Sequence, residues 1–194
     1  MRRRNLIVCL AVLLLAGCGG KKITQNTIKE ENVKKAYVEA QETLKKGSGY
    51  SREALKKEIS EKNDGTYSSK EVLRAVDDLE KNGKVNWDRE AYDAAKGYVE
   101  SGMGFSRKGL FWQMTGNSGS AFTEKEAKKA METLIEEGKI DWDREAIKAA
   151  ENIVDSDPDI TEAGLKKELV SENGYAFTNE QAWKAVDTLK RMRS

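Results

Sequence analysis

Apolar residues recur along this chain in stripes with helical spacing: Val72, Ala75, Val76 and Leu79 stand at i, i+3, i+4 and i+7, with charged residues between them. Shifting the chain on itself by 55 residues superposes three such patterns without a gap. Leu55, Leu110 and Leu165 coincide, as do Tyr67, Phe122 and Phe177, then Ala75, Ala130 and Ala185, then Leu79, Leu134 and Leu189. The pattern predicts an all-α protein of tandem three-helix, helix-turn-helix-like repeats packed in series, over residues 32–86, 87–141 and 142–194. Nearly literal junctions mark the joins, Asn86-Trp-Asp-Arg-Glu-Ala91 against Asp141-Trp-Asp-Arg-Glu-Ala146.

Helix starts are written into each copy. Asn86 and Asp141 can cap the first helix, and Asp88 and Glu90 lie in its first turn, where the helix dipole favours acids. Ala91, Ala95 and Tyr98 give that helix a small-residue face that lets another helix approach. Ser51, Ser106 and Thr161 can cap a second helix of about three turns. The third carries three capping boxes, Ser68-x-x-Glu71, Thr123-x-x-Glu126 and Thr178-x-x-Gln181, each with an aromatic just before it. Gly83 and Gly138 stand where left-handed C-caps end it. A unit of 55 residues is close to the lower size limit for independent stability, so neighbouring copies are expected to share an interface, with Trp87 and Trp142 as core wedges between them.

The N-terminus breaks the pattern. Arg2, Arg3 and Arg4 precede an apolar run from Leu6 to Ala16, too short for the ~20 apolar residues of a membrane-spanning helix, and Gly17 and Cys18 follow. Residues 1–17 read as a lipoprotein signal peptide, because Leu15-Ala16-Gly17-Cys18 resembles the lipobox of bacterial lipoproteins, which implies lipid on Cys18. Residues 18–31 then form a tether, spanning ~20 Å as a flexible coil and holding the repeats near the membrane. The other cysteine, Cys9, lies in the removed segment, so the mature chain has neither a disulfide nor thiol chemistry.

Composition narrows the chemistry further. The chain has no histidine, which removes the commonest general base and metal ligand. The recurring acids, Asp88 with Glu90 and Asp143 with Glu145, sit at helix starts, where capping accounts for them without paired-acid catalysis. No catalytic residue, metal ligand or cofactor is assigned. Six of the 34 basic and two of the 33 acidic residues precede residue 32, leaving 28 against 31, a net of about −3. With acids such as Glu71, Asp77, Asp78 and Glu80 along the third helices, nucleic acid is excluded as a partner.

The order of landmarks resembles the Ltp-type host cell surface-exposed lipoproteins, a family associated with superinfection exclusion. The second copy carries it most clearly, through Phe105-Ser106, Gly109-Leu110, Gln113-Met114, Phe122-Thr123, Glu126-Ala127, Ala130, Leu134 and Asp141-Trp142. The third matches through Gly164-Leu165, Leu169, Gly174, Phe177-Thr178, Gln181-Ala182-Trp183 and Leu189. The first diverges, with Ala54, Glu58 and Tyr67-Ser68 at the corresponding places. The resemblance implies helix-turn-helix-like units on a lipid anchor at the extracytoplasmic face of the membrane, some members blocking entry of a second phage's DNA. The partner it implies is a phage entry component, with a host surface protein or the cell wall as the alternative.

Candidate binding residues emerge where the copies disagree. Phe111 and Trp112 replace Lys56-Lys57 and Lys166-Lys167, positions off the shared core face of Leu110 and Met114. At least one of the two aromatics should face solvent or a partner; the family pattern turns Phe111 into the groove against a neighbouring copy. Trp183, opposite Leu73 and Lys128, is the third candidate, although the family pattern favours packing there. The glycines around the pair, Gly102, Gly104, Gly109, Gly116 and Gly119, suggest the most adaptable region of the chain. Trp112 with Tyr98 could equally stack on sugar rings of the wall.

Overall fold

The computed structural model describes residues 25–193, with side chains from residue 29 onward. The signal segment, Cys9, Cys18 and the tether as far as residue 24 lie outside the described residues. Nine α-helices make up the described chain: α1 (Gln25–Lys46), α2 (Arg52–Lys62), α3 (Ser69–Lys81), α4 (Trp87–Glu100), α5 (Arg107–Thr115), α6 (Glu124–Glu136), α7 (Trp142–Ser156), α8 (Glu162–Val170) and α9 (Asn179–Arg193). They fall into three triplets whose second helices start at residues 52, 107 and 162 and whose third helices start at 69, 124 and 179.

The helices begin where the side chains supply hydrogen-bond acceptors. Ser51, Ser106 and Thr161 each accept from the amide three residues on, at Ala54, Gly109 and Gly164. Ser68 and Thr123 close reciprocal capping boxes with Glu71 and Glu126, and Thr178 does so with Gln181. Gly83 and Gly138 end α3 and α6 at φ 61° and 66°, the left-handed conformation a Cβ would disfavour. One boundary differs from the sequence reading. The helix expected from about residue 32 starts at Gln25, so the last seven residues assigned to the tether are helical, and Glu30 there forms a two-pronged ion pair with Arg74 of α3.

Each triplet has its own core, made where its first and third helices pack together and its second lies across them. In the middle triplet Ala91 and Ala95 of α4 meet Leu110 and Met114 of α5 and Ala127, Ala130 and Leu134 of α6, all but inaccessible to solvent. The alanines matter because they allow α6 to lie close against α4. Trp87 opens α4 but is buried in the core of the first triplet, under the guanidinium of Arg52 at 5.4 Å. Trp142 opens α7 and packs on the core of the second. Both tryptophans are wedges across the joins. The buried indole N–H of Trp87 has no hydrogen-bond partner among the described residues. That costs about 1–3 kcal/mol, against roughly 4–6 kcal/mol from burying a ring of that area.

A second device joins the triplets. The carboxylate of Glu90 accepts from the amides of Gly49 (2.7 Å) and Tyr50 (3.1 Å), so a loop of the first triplet hangs on a helix of the second. The same contact recurs one copy on, where Glu145, buried at 2 % exposure, accepts from the Phe105 amide at 3.2 Å. Lys148 braces it, donating to Glu145 at 2.6 Å and to the Val99 carbonyl at 3.3 Å. The loop comes so close that a Cβ on Gly104 would stand 2.3 Å from the Ala149 nitrogen, and one on Gly49 3.2 Å from the Ala94 Cα. The outer copies have lost these parts. Lys35 stands where Glu90 and Glu145 stand, and Asp159 where Gly49 and Gly104 stand, so the clamp is confined to the two inner joins.

Candidate functional site

The join between the second and third triplets opens into two clefts on either side of α5. The short α5 is set by Ser106 at its cap and by Leu110 and Met114, both fully buried, which leave Phe111 and Trp112 on its outer flanks. The divergence from lysine at these two positions therefore acts at the join.

Trp112 is 43 % exposed and lines the first cleft, of about 700 Å3. The ammonium of Lys108 sits 4.7 Å from the centre of its ring and is itself paired with Glu172 of the following triplet. The ammonium thus covers one face of the indole, and the Glu172 carboxylate offsets its charge. The floor is Phe105, edge-on to Tyr98 at 5.6 Å. Gly174 and Tyr175 of the following triplet also line it, the latter stacked 6.4 Å from Phe177, with burial pushing its phenol above the usual tyrosine range. Gln113 donates to the Tyr98 hydroxyl at 3.2 Å, and Asn152 to the carbonyls of Gly102 (2.9 Å) and Met103 (3.1 Å). Their amide donors hold the walls, and their carbonyl oxygens are the acceptors left to a ligand.

Phe111 is half-buried against the core of its own triplet and borders the second cleft, of about 720 Å3, with Met131 and Trp142. Lys128 lies 5.5 Å from the centre of its ring, and Arg107, Lys108 and Glu132 complete a charged rim. Trp183 is elsewhere: it is 56 % exposed on α9, beside Ala163, Lys166 and Asp187. The packing that the family pattern favoured for it does not occur, since Ala182, Ala185, Val186 and Leu189 already fill the inward face of α9. Phe111 and Trp112 thus flank one helix, and Trp183 joins neither cleft.

Three of the five glycines around Trp112, Gly104, Gly116 and Gly119, are in tight contact with backbone, whereas a Cβ on Gly102 would meet open space. A Cβ at Gly119 would fall 2.1 Å from the Gln113 carbonyl, and Gly104 is pressed on α7. The loop after α5 is tied further by bonds from the Ser120 amide to the Gln113 carbonyl (3.0 Å) and between the Ser120 and Tyr98 hydroxyls (2.7 Å).

Three parts of the site were missed from the sequence: Tyr175, Asn152 and the clamp of Glu90 and Glu145. The clamp had a visible signal, since glycine and glutamate stand 41 residues apart at both inner joins and are replaced at both ends of the series. Asn152 and Tyr175 had none, because only the join brings them to Trp112. Among the described residues no group of three or more acidic, histidine or cysteine side chains is placed to hold a metal, and no helix is long and apolar enough to cross a membrane.

Residues 86–134, from the start of α4 to near the end of α6, match the family described as host cell surface-exposed lipoprotein. The resemblance carried by the second copy is thereby shown over that segment, about a quarter of the chain. Neither the curated proteins nor the solved structures gave a match.

Proposed function

From the match of residues 86–134 to the host cell surface-exposed lipoproteins, we propose that this protein is a non-catalytic binding module, held at the extracytoplasmic face of the cell membrane by lipid on Cys18. Its role is superinfection exclusion: it contacts a phage entry component and stops DNA passage after adsorption. The observation that carries the reading is that the segment matching the family is also the one in which solvated lysines give way to Phe111 and an exposed Trp112.

The anchor supports it geometrically. Six residues lie between Cys18 and α1, at most about 20 Å of chain, so lipid on Cys18 would hold the helical body near the membrane surface, where an entering tail component must pass. The absence of histidine from the chain and the use of the recurring acids in caps and clamps favour binding over catalysis.

Cells displaying the intact protein should adsorb a sensitive phage but admit its DNA at least tenfold less often than cells without it. Trp112→Lys, which restores the residue type of the sister copies, should return infection towards the unprotected level with surface display unchanged. If a broad panel of phages infects all three cell lines equally, exclusion is wrong, and a host surface protein or the cell wall becomes the partner.

A further inference from the structure

Charge is distributed over this chain so densely that its absence from one place is informative. Asp, Glu, Lys and Arg make up 35 % of the residues, yet none of the fourteen residues lining the cleft beside Trp112 carries a charge. The lining is of four kinds: aromatic side chains (Trp112, Phe105, Tyr175), the Met103 thioether, hydroxyl and amide groups (Gln113 and Asn152 among them), and bare glycine backbone. Lys108, the nearest cation to the indole, is neutralised by Glu172. Two of the large apolar side chains that the fold leaves exposed, Met103 and Trp112, meet in this one cleft.

We propose that this cleft is a binding site for an uncharged saccharide, with the free face of Trp112 as the platform for a sugar ring. The weakly positive C–H face of a pyranose complements the negative face of an indole, while its hydroxyls need neutral donors and acceptors at the rim. The Gln113 and Asn152 side-chain carbonyls and the Tyr175 hydroxyl provide these. A cleft of about 700 Å3 lies within the range of pockets that enclose a small ligand. Inside the cleft itself, the usual modes of peptide insertion lack their parts. There is no strand among the described residues to offer a sheet edge, no arginine cluster in the cleft for an acidic motif, and no continuous apolar groove for a helix. The saccharide site does not depend on phage exclusion, and either can fail while the other stands.

The test is calorimetric titration of the full-length protein in neutral detergent with the trimer of N-acetylglucosamine, beside a glucuronic acid trimer and an uncharged glycine-serine peptide of similar size. The neutral saccharide should bind with at least tenfold advantage over both. Trp112→Ala should lower its affinity at least tenfold and Tyr175→Ala at least threefold, while Trp183→Ala, an exposed tryptophan outside the cleft, should leave it unchanged. Helical circular dichroism and the melting midpoint verify that each variant is folded. No binding of the trimer by folded protein, preference for the peptide or the acidic sugar, or an equal loss in Trp183→Ala would each overturn the assignment.

Discussion

At the scale of single residues, two neighbouring glycines separate close packing from conformational freedom. Gly102 and Gly104 have nearly the same φ, 78° and 73°, but a Cβ on Gly102 meets open space whereas one on Gly104 meets the backbone of α7. Gly102→Ala should cost about 1 kcal/mol, the left-handed penalty alone. Gly104→Ala adds a backbone collision and should cost at least about 3 kcal/mol, with the third triplet displaced. Urea denaturation of the two variants measures the difference, and equal losses would mean that the loop does not seat on α7.

At the scale of elements, the acids divide into two kinds with opposite pH behaviour. Glu71 in the α3 capping box is held below its ordinary carboxylate range, first by the Ser68 amide and then by the Ser68 hydroxyl. Its contribution is present above an ordinary value near 4.5 and is lost as pH falls. Glu90 behaves in reverse: burial raises its carboxyl, outweighing the amides of Gly49 and Tyr50. The folded protein therefore binds the Glu90 proton more tightly than the unfolded chain, and this residue's part of the stability falls as pH rises from about 4.5 through the raised value. Glu90→Gln keeps an acceptor for the loop and removes the charge. Its stability relative to the natural protein should increase as pH is raised through that window, as urea midpoints at a series of pH values would show. A difference independent of pH would contradict the clamp's electrostatics.

At the scale of the whole molecule, three cores in series are coupled by few contacts, so the joins govern cooperativity. Glu145 is the buried carboxylate of the second join, and its loss leaves the Phe105 amide without that acceptor and Lys148 without its ion-pair partner. Glu145→Ala should cost about 1–3 kcal/mol. It should also split or broaden the unfolding transition, with amide exchange at Phe105 accelerated while that of the α4–α6 core is retained. A single, equally sharp transition would show that the Trp142 wedge alone couples the triplets. The clefts flanking α5 exist only while this join is closed, so binding at Trp112 should weaken in the same variant.

Local signals determined most of the secondary structure. A capping side chain or a C-cap glycine acts within one turn, so Ser68, Thr123, Gly83 and Gly138 could be placed from their neighbours alone, and the 55-residue period carried that reading through the chain. The buried faces followed from helical spacing, as Leu110 and Met114 show. The start of α1 did not, and Glu30 in its added turns pairs with Arg74, 44 residues away. Nor did the roles of Glu90, Asn152 and Tyr175, whose partners come from another copy. A repeat compared with itself displays what each copy needs alone, namely caps and a core. What lies between copies, the clamps, the seats of Gly49 and Gly104 and the uncharged cleft beside Trp112, was decided by tertiary structure, because those contacts join residues from 40 to 64 positions apart that no local interaction brings together.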